Sequence, residues 1–172
     1  KEANALITTE LSLAYPGIPI VAEEGDASAF EHARGAPFVW YVDPVDGTRE
    51  FVAKNGEFAV MIGLAVHGRA ALGVVLCPAL GRTFIGAEGF GAFEILPDGT
   101  RASIHPSDQR ELARARVVVS RSHRARDAEG KLGLLSEAQL VLRGSAGVKA
   151  AMVACGEADA YVQPGRAGKR WD

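Results

Sequence analysis

The chain has 172 residues, 48% of them hydrophobic and 23% charged, with a formal net charge of −2. That size and mix suit a globular protein with one or two hydrophobic cores, and the near-neutral charge excludes a general affinity for nucleic acid or for an anionic membrane surface. No apolar run approaches the roughly 20 residues that a membrane-spanning helix needs, and the N-terminus lacks the basic-then-apolar layout of a signal peptide. The two cysteines, Cys77 and Cys155, are far apart in apolar surroundings and lack metal-ligand spacing. Buried free thiols in a soluble, cytoplasmic protein are expected. The chain opens directly into a helical pattern at Lys1 and stops on Trp171-Asp172, so it is expected to be a fragment, cut at both ends.

In chain order, Ala3, Leu6, Ile7, Leu11 and Ala14 recur at helical spacing, and Tyr15-Pro16-Gly17 ends that helix. Residues 18–22 read as a short strand leading to Glu23-Glu24, and residues 38–42 as a buried strand running into Asp43. Residues 58–66 and 70–76 flank His67-Gly68-Arg69 as a hairpin. Strands over 82–87 and 91–95 extend an antiparallel sheet. A turn-rich stretch follows from Pro97 to Asp108. Beyond it, strands are predicted over 117–119, 139–142 and 158–162, and helices over 128–136 and 146–155. This order predicts an α/β (α+β) fold with helices and sheets in alternating layers. Two subregions are expected, 1–96 and 97–172, forming one catalytic unit.

The most informative string is Asp43-Pro44-Val45-Asp46-Gly47-Thr48. A buried strand delivers Asp43 to its exposed end, and Pro44 restricts the backbone there. Asp43, Asp46 and the Val45 carbonyl can then aim oxygens at one point, a donor set that suits Mg²⁺ better than zinc. Gly47 allows close approach of a ligand, and Thr48 would open a helix whose free N–H groups favour an anion. The alternative, that Asp-Pro and Asp-Gly merely build a turn, would suffice for an isolated Asp-Gly but not for the whole six-residue string at a strand end.

The same string resembles the signature of the inositol monophosphatase superfamily of lithium-sensitive, Mg²⁺-dependent phosphatases, and the resemblance covers essentially the whole chain. It implies the layered fold shared by inositol monophosphatase and fructose-1,6-bisphosphatase. In that family an upstream acidic pair and a downstream Trp-Asp pair supply further metal ligands. Glu23-Glu24 and Trp171-Asp172 match them. The continuation Glu50-Phe51-Val52 through Asn55-Gly56-Glu57-Phe58 is similar to the CysQ-type bisphosphate nucleotidase branch, as are Ser120-Arg121-Ser122-His123, Gly144-Ser145-Ala146-Gly147-Val148-Lys149 and the stretch from Gly165 to Asp172. The branch implies a small-molecule substrate, 3′-phosphoadenosine 5′-phosphate, and a place in sulfate assimilation.

On this resemblance Glu23, Asp43 and the Val45 carbonyl hold one Mg²⁺, Asp43, Asp46 and Asp172 a second, and a third, weaker ion has Glu24 as a helper. A water then attacks phosphorus in line without a covalent intermediate, oriented by Thr48. The family pairs that threonine with an aspartate that would stand just before Lys1. Gly47, Thr48, Ser120, His123, Gly144, Ser145 and Lys149 form the substrate side, with the Lys149 ammonium as the contact for a second phosphate and His123 beside the base or ribose. Arg121 and Arg170 read more readily as surface. Each substrate-side assignment has a bland rival: an N-cap for Ser145, a surface lysine for Lys149 and a solvated loop histidine for His123. Inositol monophosphate or fructose 1,6-bisphosphate is the rival substrate, and a non-catalytic nucleotide- or metal-binding protein the rival from another class. No nucleic-acid polymer or membrane partner is expected, and the assembly is a monomer or homodimer.

Overall fold

The computed structural model describes residues 1–26, 28–121 and 135–163. Its first helix, α1 (Glu2–Ala14), ends where Tyr15 turns out of helical geometry ahead of Pro16. It lies along the first two strands with the Tyr15 ring 5.3 Å from that of Trp40. None of its residues is buried, and Leu6 and Leu13 are 65% and 73% exposed, so its apolar stripe is largely uncovered among the described residues.

Seven strands then form one sheet in sequence order: β1 (Ile20–Ala22), β2 (Phe38–Asp46), β3 (Ala59–Val66), β4 (Arg69–Cys77), β5 (Arg82–Ala87), β6 (Gly91–Ile95) and β7 (Arg101–Ser103). β1 and β2 are parallel, joined across the short helix α2 (Ser28–His32), whose Phe30, with Ala33 just after it, covers Val21 and Val39. All other neighbours in this sheet are antiparallel. The β3–β4 hairpin turns on His67 and Gly68, both at positive φ (49° and 75°), as a two-residue turn matched to strand twist requires. β7 lies inside the stretch predicted to be turns. Three mostly polar residues carry no strand signal, and they become a strand by pairing with Phe93–Ile95 at the sheet edge. The first sheet therefore runs past the expected junction at 96/97.

The second sheet has three parallel strands in the order β10 (Ala160–Val162), β8 (Arg116–Ser120), β9 (Gln139–Arg143). Parallel strands are buried on both faces and read as continuous apolar runs, which is why Val117-Val118-Val119 was legible; those residues are 3% exposed or less. Helix α4 (Ala146–Ala154) packs between the two sheets, against β3 and β4 on one side and β8 and β10 on the other. Val148 and Ala151 join Ala59, Cys77 and Phe84 in the core beneath it. Asp159 ties the second sheet together: its carboxylate accepts from the Arg116 backbone N–H at 2.6 Å, from Arg116 Nη2 at 2.8 Å and from Ser107 Oγ at 2.5 Å. The helix expected over 128–136 falls almost wholly outside the described residues. Among those residues, no helix is long and apolar enough to cross a membrane.

Candidate active site

The acidic residues meet where β1 and β2 end. The Glu23 N–H donates to the Val42 carbonyl at 3.0 Å, which carries the parallel pairing of Ala22 with Val42 one step further and sets Glu23 beside Asp43. In a regular strand, residues three apart point to opposite faces. Between Asp43 and Asp46 the register with β3 slips, since Asp43 pairs with Met61 but Asp46 with Ala59. The extra residue on β2 is a bulge, held by the buried Pro44, which has no N–H to offer the ladder, and by a 3.0 Å bond from the Val45 N–H to Asp43 Oδ1. The bulge turns both aspartates toward one region.

The electrostatics record this convergence. Asp43 is 3% exposed; burial, then the negative charges of Glu23 and Asp46 and a hydrogen bond with Glu23, push its carboxyl up to about 8, against a small opposing pull from the Val45 N–H. Like charges crowded at a buried point call for a cation, and a donor set of carboxylates plus a carbonyl suits a hard ion such as Mg²⁺. The described residues do not close into a finished cage of three or more acidic, histidine or cysteine ligands. Asp46 is held from the far side, its Oδ2 accepting from the Ser145 hydroxyl and from the Gly147 N–H at 2.7 Å. Asp172 and His123 lie outside the described residues. Glu24 directly follows Glu23 beyond the end of β1.

Gly47 adopts φ 86° and precedes the single-turn helix α3 (Thr48–Val52). Its missing Cβ leaves room for protein, not ligand: a methyl there would stand 3.0 Å from the Glu57 carbonyl oxygen and 3.1 Å from Ser145 Cβ. The Thr48 hydroxyl donates to the Val45 carbonyl at 3.2 Å, so these two predicted site atoms are coupled.

Across from this loop, Ser120 ends β8, 6% exposed and in register with Arg143. Gly144 follows β9 and admits no side chain, since an added Cβ would fall 2.1 Å from Glu50 Cγ, whose residue is 4% exposed. Ser145 is the N-cap of α4, accepting from the Val148 N–H at 3.0 Å, and its hydroxyl also donates to Asp46, so it caps the helix and touches the acidic loop at once. Lys149 differs from both expectations. It is neither a surface lysine nor turned outward for a phosphate: it is 3% exposed, and its Nζ donates to the Ser145 carbonyl at 2.5 Å and stacks 5.0 Å from the Tyr161 ring centre. One helical turn brings Nζ back over its own N-cap, where the ammonium finds an acceptor in the interior.

Sequence reasoning missed Glu57 as an organising residue. Its carboxylate accepts from the Gly144 N–H at 2.7 Å and, bidentately, from Arg121 Nε and Nη2 at 3.0 and 2.7 Å. Burial would raise its pKa, but the Arg121 and Gly144 hydrogen bonds and the charges of Arg121 and Arg143 outweigh that and hold it low. The Asn55-Gly56-Glu57-Phe58 string stands out in the sequence, yet the partners of Glu57 stand 64 and 87 residues away, beyond the reach of any local pattern. Arg121 is exposed, as a surface reading expects, and is also the other half of this clamp.

The whole chain, residues 1–172, matches the inositol monophosphatase family model. The chain belongs to the inositol monophosphatase family. Among curated relatives, the 3′(2′),5′-bisphosphate nucleotidase CysQ of Escherichia coli K12 is 37% identical over 92% of this chain. CysQ of Aggregatibacter actinomycetemcomitans is 30% identical over 98%. The family member described here spans 62% of the length of either. Among solved structures, Mycobacterium tuberculosis SuhB superposes with a TM-score of 0.80 at 30% identity, over 94% of this chain and 63% of that one. CysQ from Bacteroides thetaiotaomicron gives 0.76 at 28% identity, over 92% and 64%. These likenesses place the layered α/β architecture within the inositol monophosphatase family.

Proposed function

We infer that the full-length protein is a Mg²⁺-dependent phosphomonoesterase that removes the 3′-phosphate of 3′-phosphoadenosine 5′-phosphate. The observation that carries this is the crowding of Glu23, Asp43 and Asp46 at the bulged end of β2. The choice of nucleotide is supported by likeness to the CysQ proteins, named as bisphosphate nucleotidases. Two Mg²⁺ ions, held by Glu23, Asp43, Asp46, Asp172 and the Val45 carbonyl, with a third, weaker one as the family implies, supply the positive charge that phosphoryl transfer requires.

The chain's own groups do the positioning. In this reading Thr48, whose hydroxyl is held beside the Val45 carbonyl, orients the attacking water. Ser145 and Gly147 fix the Asp46 carboxylate from the opposite side. Ser120, Gly144 and Ser145 line the wall across from the acidic loop, and His123 is assigned to the base or ribose. Lys149 acts from beneath, fixing the Ser145 carbonyl. A cytoplasmic setting, suggested by the two free thiols, and a monomeric or homodimeric assembly belong to the same proposal.

A second reading, hydrolysis of an inositol monophosphate, is favoured by the structural neighbours, among which an inositol monophosphatase from Anabaena superposes at a TM-score of 0.79 with 28% identity. Phosphate release by the full-length protein from 3′-phosphoadenosine 5′-phosphate, inositol 1-phosphate and fructose 1,6-bisphosphate, with and without Mg²⁺, decides between them. A kcat/KM for the nucleotide at least tenfold above the others is expected. Preference for inositol 1-phosphate overturns the nucleotide reading, and Mg²⁺-dependent binding without release overturns the enzymatic one.

A further inference from the structure

Ser145 holds φ 57°, a conformation that non-glycine residues keep only when their surroundings impose it. Its carbonyl is gripped by Lys149 Nζ. One residue earlier the backbone is gripped by Glu57, whose Oε2 accepts the Gly144 N–H at 2.7 Å. From this turn the Ser145 hydroxyl and the Gly147 N–H reach Asp46. The Glu57 carboxylate also accepts from Arg121, just past the end of β8, while the Glu57 carbonyl oxygen packs on Gly47, next to Asp46. Glu57, just before β3 and only 15% exposed at its side chain, thus touches the acidic loop and the two segments facing it.

We propose that Glu57 is a positioning residue for the metal site: by holding the Gly144 amide it sets the turn from which Ser145 and Gly147 orient Asp46, and by clamping Arg121 it keeps the end of β8 against that turn. The inference rests on the reading of Asp46 as a Mg²⁺ ligand, though not on the identity of the substrate. A charge-assisted acceptor shared between a backbone amide and a bidentate guanidinium is a strong, directional tie, and a group that orients a ligand from behind typically changes metal affinity by 10- to 100-fold when removed.

The test is Mg²⁺ titration by calorimetry on full-length Glu57→Ala, Glu57→Gln and Glu57→Asp, with melting temperature and KM and kcat recorded alongside. Glu57→Ala should bind Mg²⁺ about tenfold more weakly. Glu57→Asp keeps the charge but falls short of Gly144, and should be similarly weak; it carries the test if the alanine variant does not fold. Glu57→Gln retains an oxygen for the Gly144 N–H and should return to within about threefold of the unaltered protein, although it melts lower for want of the Arg121 ion pair. Undiminished Mg²⁺ binding by the alanine or aspartate variant overturns the proposal, as does glutamine binding no better than alanine. Because calorimetry reads the ion without a substrate, failure of the nucleotide assignment in the substrate panel is distinguishable from failure here.

Discussion

Replacing Gly47 by alanine carries two separable penalties. At φ 86° an L-residue is in the left-handed region, which costs roughly 1–2 kcal/mol. The new methyl would also stand 3.0 Å from the Glu57 carbonyl oxygen, 3.1 Å from Ser145 Cβ and 3.3 Å from Ser145 Cα. None of these is the far end of a flexible side chain, so the backbone must yield, and overpacking of this kind costs about 1–3 kcal/mol. Gly68→Ala isolates the first penalty, since Gly68 has φ 75° and nothing within 4 Å of the added carbon. Urea unfolding of both full-length variants in chelator should place Gly47→Ala below Gly68→Ala by about 1–3 kcal/mol. Mg²⁺ affinity should fall in the former, where the shift moves Asp46, and stay unchanged in the latter, at the far end of β2 and β3. Equal stability losses would refute the claim that Gly47 exists for the approach of Glu57 and Ser145.

Asp46→Asn should keep its hold on the Ser145 hydroxyl and Gly147 N–H through the amide oxygen while losing the charge, so kcat at saturating Mg²⁺ should drop by about 10²–10³-fold with little change in melting; near-normal turnover counts against the metal assignment. Asp43 titrates upward, to about 8, in the metal-free protein. The folded chain binds that proton more tightly than the unfolded one, so this contribution to stability is present at low pH and fades as pH rises toward 8. Mg²⁺ must displace the proton, so its affinity, followed by calorimetry, should climb between pH 6 and 8; a flat profile would dismiss the carboxylate crowding. Asp159 behaves in the opposite sense. The hydrogen bonds of Arg116, followed by those of Ser107 and the Arg116 backbone, hold its carboxyl well below the usual range, so its contribution is present near neutrality and lost as pH falls below about 4. Asp159→Asn at pH 7 should cost about 2 kcal/mol in denaturant unfolding, and an unchanged midpoint would show that this clamp does not stabilise the second sheet.

Local patterns were sufficient for most elements. Ala146–Ala154 and the strands Arg82–Ala87 and Gly91–Ile95 stand within a residue or so of their sequence-based limits, because helical and alternating periodicities are properties of neighbouring residues. The candidate site was legible for the same reason: four of its proposed groups, Asp43, Val45, Asp46 and Thr48, lie in one six-residue string whose composition points to a hard cation. Even the junction of Glu23 with that string needed only that two adjacent strands be parallel.

What the amino-acid order alone determined, then, is which oxygens can bind an ion and which runs of chain present them. Folding in three dimensions decided the rest. The bulge that turns Asp43 and Asp46 to one side depends on pairing with β3. Lys149 is directed inward by the carbonyl and ring it meets there, and Arg101–Ser103 is a strand because an edge was waiting for it. Glu57 acquires its role from Gly144 and Arg121, whose sequence separations leave no periodic trace. A hydrogen bond depends on distance and angle between atoms, and those quantities are set by packing between segments rather than within them.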